Sequence, residues 1–340
     1  VKRIAITGGL ETSYILSLMG AMRDARGRGA IFTLHHVRPH TPDAFEPNAH
    51  LEITPQFLDA ALRQLKKDGY RFVPLNAVPD LLSGPEPKQP FAAFTLDDGY
   101  RNNLEYALPV FDRHRAPFTV FVAEGLAERS HSIWWETLAI LLRKAERLTF
   151  DFGRGKESLN LFTPAEQHQA FARFAAYIHR TDEARAVSEV DALARDHEVD
   201  PAAIVDDLVM GPDELRRLAA NPLASLGAHT ISHRALARLT AAEVRIEMEV
   251  SADYVATITG KIPETIAYPY GTPEAATGRE GTLAKNIGFR LAVTTQPGLI
   301  TEGSLDEITY LPRLSINGLY QKRRYISALA SGIPLKLMGK

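Results

Sequence analysis

Phe91-Ala92-Ala93-Phe94-Thr95-Leu96-Asp97-Asp98-Gly99 is an apolar run that stops on a pair of carboxylates and a glycine. Its apolar part predicts a strand over residues 91–95, and the Asp-Asp-Gly that follows marks the strand end. Working outward, the same pattern recurs. A strand at 30–34 runs into His35-His36, and one at 118–122 follows a helix over 104–114. A strand at 223–228 meets His229, and one at 265–268 meets Pro269-Tyr270-Gly271. Further strands are expected at 289–294 and around Leu311, ending near Arg313. Helices are expected at 10–25, 55–67, 241–259 and 273–286, the last two ending at Gly260 and Gly288.

Repeated strand–helix alternation predicts a parallel sheet covered by helices. Six or seven strands over this length suit an α/β fold closed into a (β/α) barrel, although a doubly wound open sheet fits the same alternation. Residues 130–220 change character, reading as helical runs over 134–148 and 165–179 and a charged stretch over 181–200. They are expected to be a helical insertion into one domain spanning residues 1–340. Every polar residue of chemical interest (His35, Asp97, Asp98, His229, Tyr270, Arg313) directly follows an expected strand. Barrel enzymes place their chemistry on the loops at that end of the strands.

Composition narrows the function classes. The chain has 340 residues, 45% hydrophobic and 24% charged, enough for a large buried core. A net charge of −2 offers no basic surface for nucleic acid or an anionic membrane. No apolar run is long enough to span a bilayer. Lys2-Arg3 before Ile4-Ala5-Ile6 has the outline of a signal peptide, but Gly8, Gly9 and Glu11 break it, so a cytoplasmic location is expected. The absence of cysteine removes disulfides, thiolate ligands and cysteine nucleophiles.

Asp97 and Asp98 side chains leave neighbouring positions in different directions, so one can bind a metal while the other stays free as a base. An ordinary Asp-Asp-Gly turn is the plainer reading of those residues alone. His229-Thr230-Ile231-Ser232-His233 sets two imidazoles four apart, and on a helical turn both would reach one ion. Together with Asp98 they form a two-histidine, one-carboxylate ligand set with open positions. Tyr268-Pro269-Tyr270-Gly271 is a rigid turn whose backbone amide could face an oxyanion. Trp134-Trp135 could stack on sugar rings, but aromatics that open a helix are more often core. His36 reads as a hydrogen-bonding residue of the strand end, and His131 as surface.

Asp-Asp-Gly after a strand, then paired histidines, then Pro-Tyr-Gly resembles the polysaccharide deacetylase family, carbohydrate esterases that include chitooligosaccharide and peptidoglycan deacetylases. The resemblance covers roughly residues 30–320 outside the insertion. It implies a distorted (β/α) barrel, Asp97 as base, and a divalent metal held by Asp98, His229 and His233. It also implies the Tyr270 backbone amide as part of an oxyanion hole. Zinc is the first expectation, with cobalt, nickel or manganese able to replace it.

Two positions depart from that pattern. An arginine two residues before the motif proline is replaced by Ala267, and the late Leu-x-His motif is absent, since no histidine follows His233. Leu34-His35-His36-Val37 and Leu311-Pro312-Arg313 resemble instead the circularly permuted branch. On that reading His35 supplies the general acid and Arg313 replaces the missing arginine. The expected function is hydrolysis of acetyl groups, N-linked first, on an oligo- or polysaccharide. An amidohydrolase of a small cyclic amide, or a carbohydrate-binding protein with a decayed site, would use the same barrel.

Overall fold

The computed structural model describes residues 2–85 and 88–339. Seven strands form the centre: β1 (Gly29–Leu34), β2 (Phe91–Leu96), β3 (Phe118–Val122), β4 (Ala224–Ala228), β5 (Thr265–Ala267), β6 (Leu291–Pro297) and β7 (Leu311–Ser315). Each lies parallel to the next in chain order, and β7 returns to pair with β1. The sheet is therefore closed, which decides for the barrel and against the open doubly wound sheet. Closure is uneven. β4 and β5 share a single register pair, Ala228 with Ile266, and the register of β6 against β7 shifts between Val293 and Pro297. A short strand, Arg71–Phe72, pairs beside the start of β2.

The strands alternate between two apolar environments, as their pleat requires. Phe32, Leu34, Phe94 and Leu96 pack outward under the helices with Leu58, Leu62 and Phe111. Ile31, Ala93, Phe121, Ala267, Val293 and Leu311 fill the interior. A side chain at Gly227 would meet the Phe121 ring at 2.5 Å, so glycine is what lets that ring sit inside the barrel. Capping fixes the helix starts. Thr54 caps Pro55–Lys67, and Thr240 forms a reciprocal capping box with Glu243 at the head of Ala241–Thr259.

Several elements differ from expectation. The first helix spans Lys2–Leu18, through Gly8-Gly9, and a short helical turn follows at Arg23–Arg26. Two interior glycines cost a helix about 1 kcal/mol each. Docking compensates: buried Leu10 packs with Tyr325 and Ala328 of helix Arg323–Ala330. The helix opening at Trp134 stops at Lys144, and an antiparallel hairpin follows, Arg147–Asp151 with Lys156–Asn160. The insertion is thus helical with one hairpin, and helices Pro164–Arg180, Glu183–Asp196, Pro201–Leu208 and Pro212–Ala219 complete it. Residues 273–275 form a turn, so the following helix begins at Gly278 behind a Thr277 cap. Among the described residues no helix is long and apolar enough to cross a membrane.

Candidate active site

The pleat of β1 and β2 sets the mouth. Their register runs from Gly29 opposite Phe91 to Leu34 opposite Leu96, and the Asp97 amide extends it by donating to the Leu34 carbonyl at 3.0 Å. Asp97 therefore keeps the inward direction of Ala93 and Thr95. Asp98 has a φ of 71°, which turns the chain and sends its carboxylate elsewhere. Four of the eight non-glycine residues with positive φ among those described are site residues: Asp98, Thr230, His233 and Tyr270. Such backbone costs of order 1–3 kcal/mol per residue and persists where the surroundings over-determine it.

Asp97 faces Arg313, which rises from β7 through the barrel interior. Arg313 donates through Nη1 to Asp97 Oδ1 at 2.7 Å and through Nη2 to Oδ2 at 2.6 Å. Further bonds to Thr95 Oγ1 and the Thr294 carbonyl fix the guanidinium, which is fully buried. Burial pushes the Asp97 carboxyl up, but the Arg313 charge and hydrogen bonds outweigh it and hold the group below the usual carboxylate range. Ala267, where the family resemblance leads one to look for an arginine, is small and lies inside the barrel with Phe121 and Val293.

Asp98, His229 and His233 offer ligand atoms that all lie within 4.8 Å of one another, and all three residues are buried. Nε2 of His229 and of His233 stand 3.4 and 3.2 Å from Asp98 Oδ1, an oxygen with no hydrogen-bond partner among the described residues. His229 Nδ1 lies 2.8 Å from the Ala267 carbonyl, which can only accept, so the proton sits on Nδ1 and Nε2 is left to bind. Burial raises the Asp98 carboxyl, yet the two imidazoles bring it well below its ordinary range. A buried acceptor without a donor, facing two imidazole nitrogens, fits a divalent cation.

The histidine pair is not on a helical turn. The segment from His229 to His233 is irregular, with Thr230 and His233 at φ 66° and 53°. Glu247, on helix Ala241–Thr259, fixes it by accepting from the amides of Ile231 and Ser232 at 2.8 and 3.0 Å. The strained loop brings both rings to one point where four-residue helical spacing was expected to do so.

His35 and His36 do not continue one strand, because β1 ends at Leu34 and His36 begins a separate two-residue strand with Glu52–Ile53. His35 is partly exposed, and its Nε2 lies 4.0 Å from Asp97 Oδ2. Burial keeps its imidazole below the ordinary range, against the pull of Asp98 and Asp97. His36 is fully buried, takes a hydrogen bond from Asn102 Nδ2 at 2.7 Å and stacks on Tyr100 with ring centroids 3.5 Å apart. His114 closes its helix far from this mouth, paired with Asp59.

Tyr270 and Gly271 turn the chain with φ of 59° and 62°. A side chain at Gly271 would strike the Thr295 amide at 2.4 Å. The Tyr270 amide has no hydrogen-bond acceptor among the described residues, while Thr295 Oγ1 donates to its carbonyl at 2.5 Å. Its phenol accepts from Trp134 Nε1 at 2.9 Å and donates to Glu183 Oε1 at 2.8 Å. Sequence reading missed these partners. Tyr100 follows Asp-Asp-Gly directly, yet nothing local shows that its ring lies beneath His36 or that its hydroxyl accepts from Trp135 Nε1 at 3.0 Å. Glu183 lies 87 residues from Tyr270, and only the packing of the insertion joins them. Trp134 and Trp135 are buried, as their place at a helix start suggests, but their indole N–H groups reach into the site.

A cavity of about 470 Å³ adjoins His233 and Tyr270 and is walled on its far side by the insertion. A cavity of about 900 Å³ between residues 38–52 and the insertion is lined by none of Asp97, Asp98, His229, His233 and Tyr270, so the smaller one is the better neighbour for the chemistry.

Comparison with known proteins agrees with this geometry. The family model for polysaccharide deacetylase matches residues 84–292. A search of curated proteins by sequence finds no match. Among solved structures, the Streptococcus pyogenes deacetylase PplD in complex with acetate is 19% identical, with 85% of this chain and 92% of that one covered at a TM-score of 0.52. BC0361, a polysaccharide deacetylase from Bacillus cereus, is 17% identical, with coverage of 90% and 68% and a TM-score of 0.55. A de-N-acetylase from Aggregatibacter actinomycetemcomitans is 13% identical, with coverage of 85% and 95% and a TM-score of 0.52. At such identities the structures speak for the fold, and the family match covers well over half of the chain. With its closed barrel and an Asp/His/His cluster at the strand ends, this chain belongs to the polysaccharide deacetylase family and is a carbohydrate deacetylase.

Proposed function

We propose that the chain removes N-linked acetyl groups from an oligo- or polysaccharide, with Asp97 as base, His35 as acid and a zinc ion on Asp98, His229 and His233. The observation that carries this reading is the division of labour between adjacent carboxylates. Asp98 meets two imidazoles with an unpartnered oxygen, while Asp97 is turned away from them and held ionised by Arg313. One carboxylate is a ligand and the other a base. The similarity to a de-N-acetylase favours the amide over the ester.

Asp98, His229 and His233 would hold the divalent ion, which when bound would supply Lewis acidity and a water of lowered pKa. The remaining steps belong to the chain. Asp97 takes the proton of the attacking water, and its bidentate bond to Arg313 keeps it ionised and oriented beforehand. In this reading the Tyr270 amide, which has no acceptor among the described residues, donates to the oxyanion. An amine leaves poorly without protonation. Burial disfavours a resting charge on His35, so the ring gains a proton from the neighbouring Asp97 side and passes it to the departing nitrogen. The Trp134–Tyr270–Glu183 bonds tie the insertion to the barrel beside this mouth.

Acetate release from a panel of N-acetylated oligosaccharides tests the reading. Release is expected with the wild type, and Asp97→Asn is expected to reduce it about 100- to 10,000-fold while metal content stays unchanged. Metal loss in Asp97→Asn equal to that in Asp98→Asn would contradict the separate roles.

A further inference from the structure

We infer that the first helix, Lys2–Leu18, and helices Arg323–Ala330 and Ile333–Leu337 form a docking face for an anionic phospholipid bilayer. The face lies outside the barrel and is independent of the reaction proposed above.

Charge is divided unevenly along the chain. Residues 1–28 and 318–340 hold ten lysines and arginines against two acids, Glu11 and Asp24. The whole chain has 39 against 41, so these two segments are net +8 and the residues between them net −10. A total of −2 conceals that division. Both acids are already answered by cations of the same segments. Arg324 donates to Glu11, and Lys336 pairs with Asp24. Arg3 and Arg323 are exposed, and no acid pairs with either among the described residues.

The same segments carry the apolar surface. Nine of the fifteen exposed large apolar side chains among the described residues belong to them, a small part of the chain. On the first helix Ile4, Ile15 and Leu18 are 78%, 56% and 69% exposed and recur at helical spacing on one side, while Leu10 and Ser13 are buried on the other. Exposed Met19 follows directly, its amide donating to the Ile15 carbonyl. Leu337 and Met338 are exposed at the end of helix Ile333–Leu337, which packs against the first helix. Apolar side chains gathered in this way on a surface mark an interaction site.

Charge and apolar surface together name the occupant. At a bilayer interface the apolar side of a helix enters the acyl boundary while lysines and arginines meet lipid phosphates. Nucleic acid would answer the charge and leave the apolar side chains in water. A second copy would answer the apolar side chains, but two-fold pairing sets one basic surface against another. An anionic bilayer answers both. Arg3 reaches the Leu319 carbonyl beyond the end of β7, and Lys336 pairs with Asp24 ahead of the start of β1. The first helix therefore runs the length of the barrel, and a bilayer on it lies along the flank and not over the catalytic mouth.

Co-sedimentation of the intact chain with vesicles tests this. The wild type is expected to bind vesicles of equal parts phosphatidylcholine and phosphatidylglycerol, less so in high salt, and not to bind phosphatidylcholine alone. Arg3→Glu/Arg323→Glu and Ile15→Asp/Leu18→Asp should each weaken binding about tenfold or more, with Tm unchanged because all four side chains are exposed. Ile262→Asp, at an exposed apolar residue elsewhere, should bind as the wild type does. If Ile15→Asp/Leu18→Asp lowers Tm, the arginine variant decides alone. No binding of the wild type to the anionic vesicles overturns the inference, as does binding that either double variant leaves intact. Binding to phosphatidylcholine alone that salt does not weaken overturns the part given to charge. A dimer in analytical ultracentrifugation that Ile15→Asp/Leu18→Asp dissolves, without vesicle binding, gives the face to a second copy.

Discussion

Arg313 shows how one residue serves another. It is fully buried, and its charge is matched by Asp97 through two hydrogen bonds of 2.7 and 2.6 Å. Removing one member of a buried pair leaves an uncompensated charge, which costs about 3–5 kcal/mol. Arg313→Met should therefore reduce turnover and release Asp97 from its low carboxylate range. A fully active variant would show that the pair only holds the barrel together. His35 is tested by its leaving group. His35→Ala should keep most activity on a phenyl acetate, whose phenolate departs unaided, and lose most of it on an N-acetyl sugar. Equal losses on both substrates would make His35 a binding or structural residue. His36→Ala is the comparison. Its ring is locked between Tyr100 and Asn102, so its loss should lower thermal stability without a preference between the two substrates.

At the scale of elements, Tyr270 ties the insertion to the barrel through its phenol, while its proposed chemistry uses only the backbone. Tyr270→Phe keeps the amide but leaves Glu183 Oε1 and the Trp134 indole without their partner. Stability should fall by about 1–3 kcal/mol, read as a lower Tm, with phenyl acetate turnover nearly unchanged. A large loss of turnover at unchanged Tm would give the phenol a direct part in the reaction. This layer was the least legible in the sequence. The barrel strands showed because each is a short apolar run ending in a distinctive residue, and Asp97, Asp98, His229 and Tyr270 stood at those ends. The hairpin at 147–160 did not show, since its strands are five residues each, carry mostly exposed positions and sit among helical runs. The shape of the histidine loop was equally hidden. Four-residue spacing suggests a helix, whereas Glu247 holds an irregular turn from a different element.

For the whole molecule, the first helix and helix Arg323–Ala330 meet on the outside of the barrel. Glu11 on the first helix accepts from Arg324 at 2.6 and 2.5 Å and from Tyr325 at 2.7 Å, and these bonds lower its carboxyl from 4.5 to about 2. The folded value lies below the unfolded one, so the clasp contributes fully above about 4.5 and is lost as pH falls toward about 2. Protection of the amides over residues 2–18, taken relative to the intrinsic exchange rate at each pH, should fall through that acid window, and Glu11→Gln should show the lower protection already at neutral pH. Unchanged protection in Glu11→Gln would assign the docking to Leu10 and its apolar contacts alone. No sequence signal links Glu11 to Arg324, because an ion pair between residues 313 positions apart is set by the closed barrel beneath it.

The proposed reaction is metal-dependent N-deacetylation of a saccharide at the Asp98/His229/His233 cluster with Asp97 beside it. The most direct measurement is acetate released from N-acetylated oligosaccharides by protein stripped with a chelator, then resupplied with zinc, with metal content determined in parallel. Release is expected to disappear with the metal and return with one equivalent of zinc, and the His229→Ala/His233→Ala variant is expected neither to bind zinc nor to recover. Acetate release that continues undiminished in protein shown to be metal-free would contradict it.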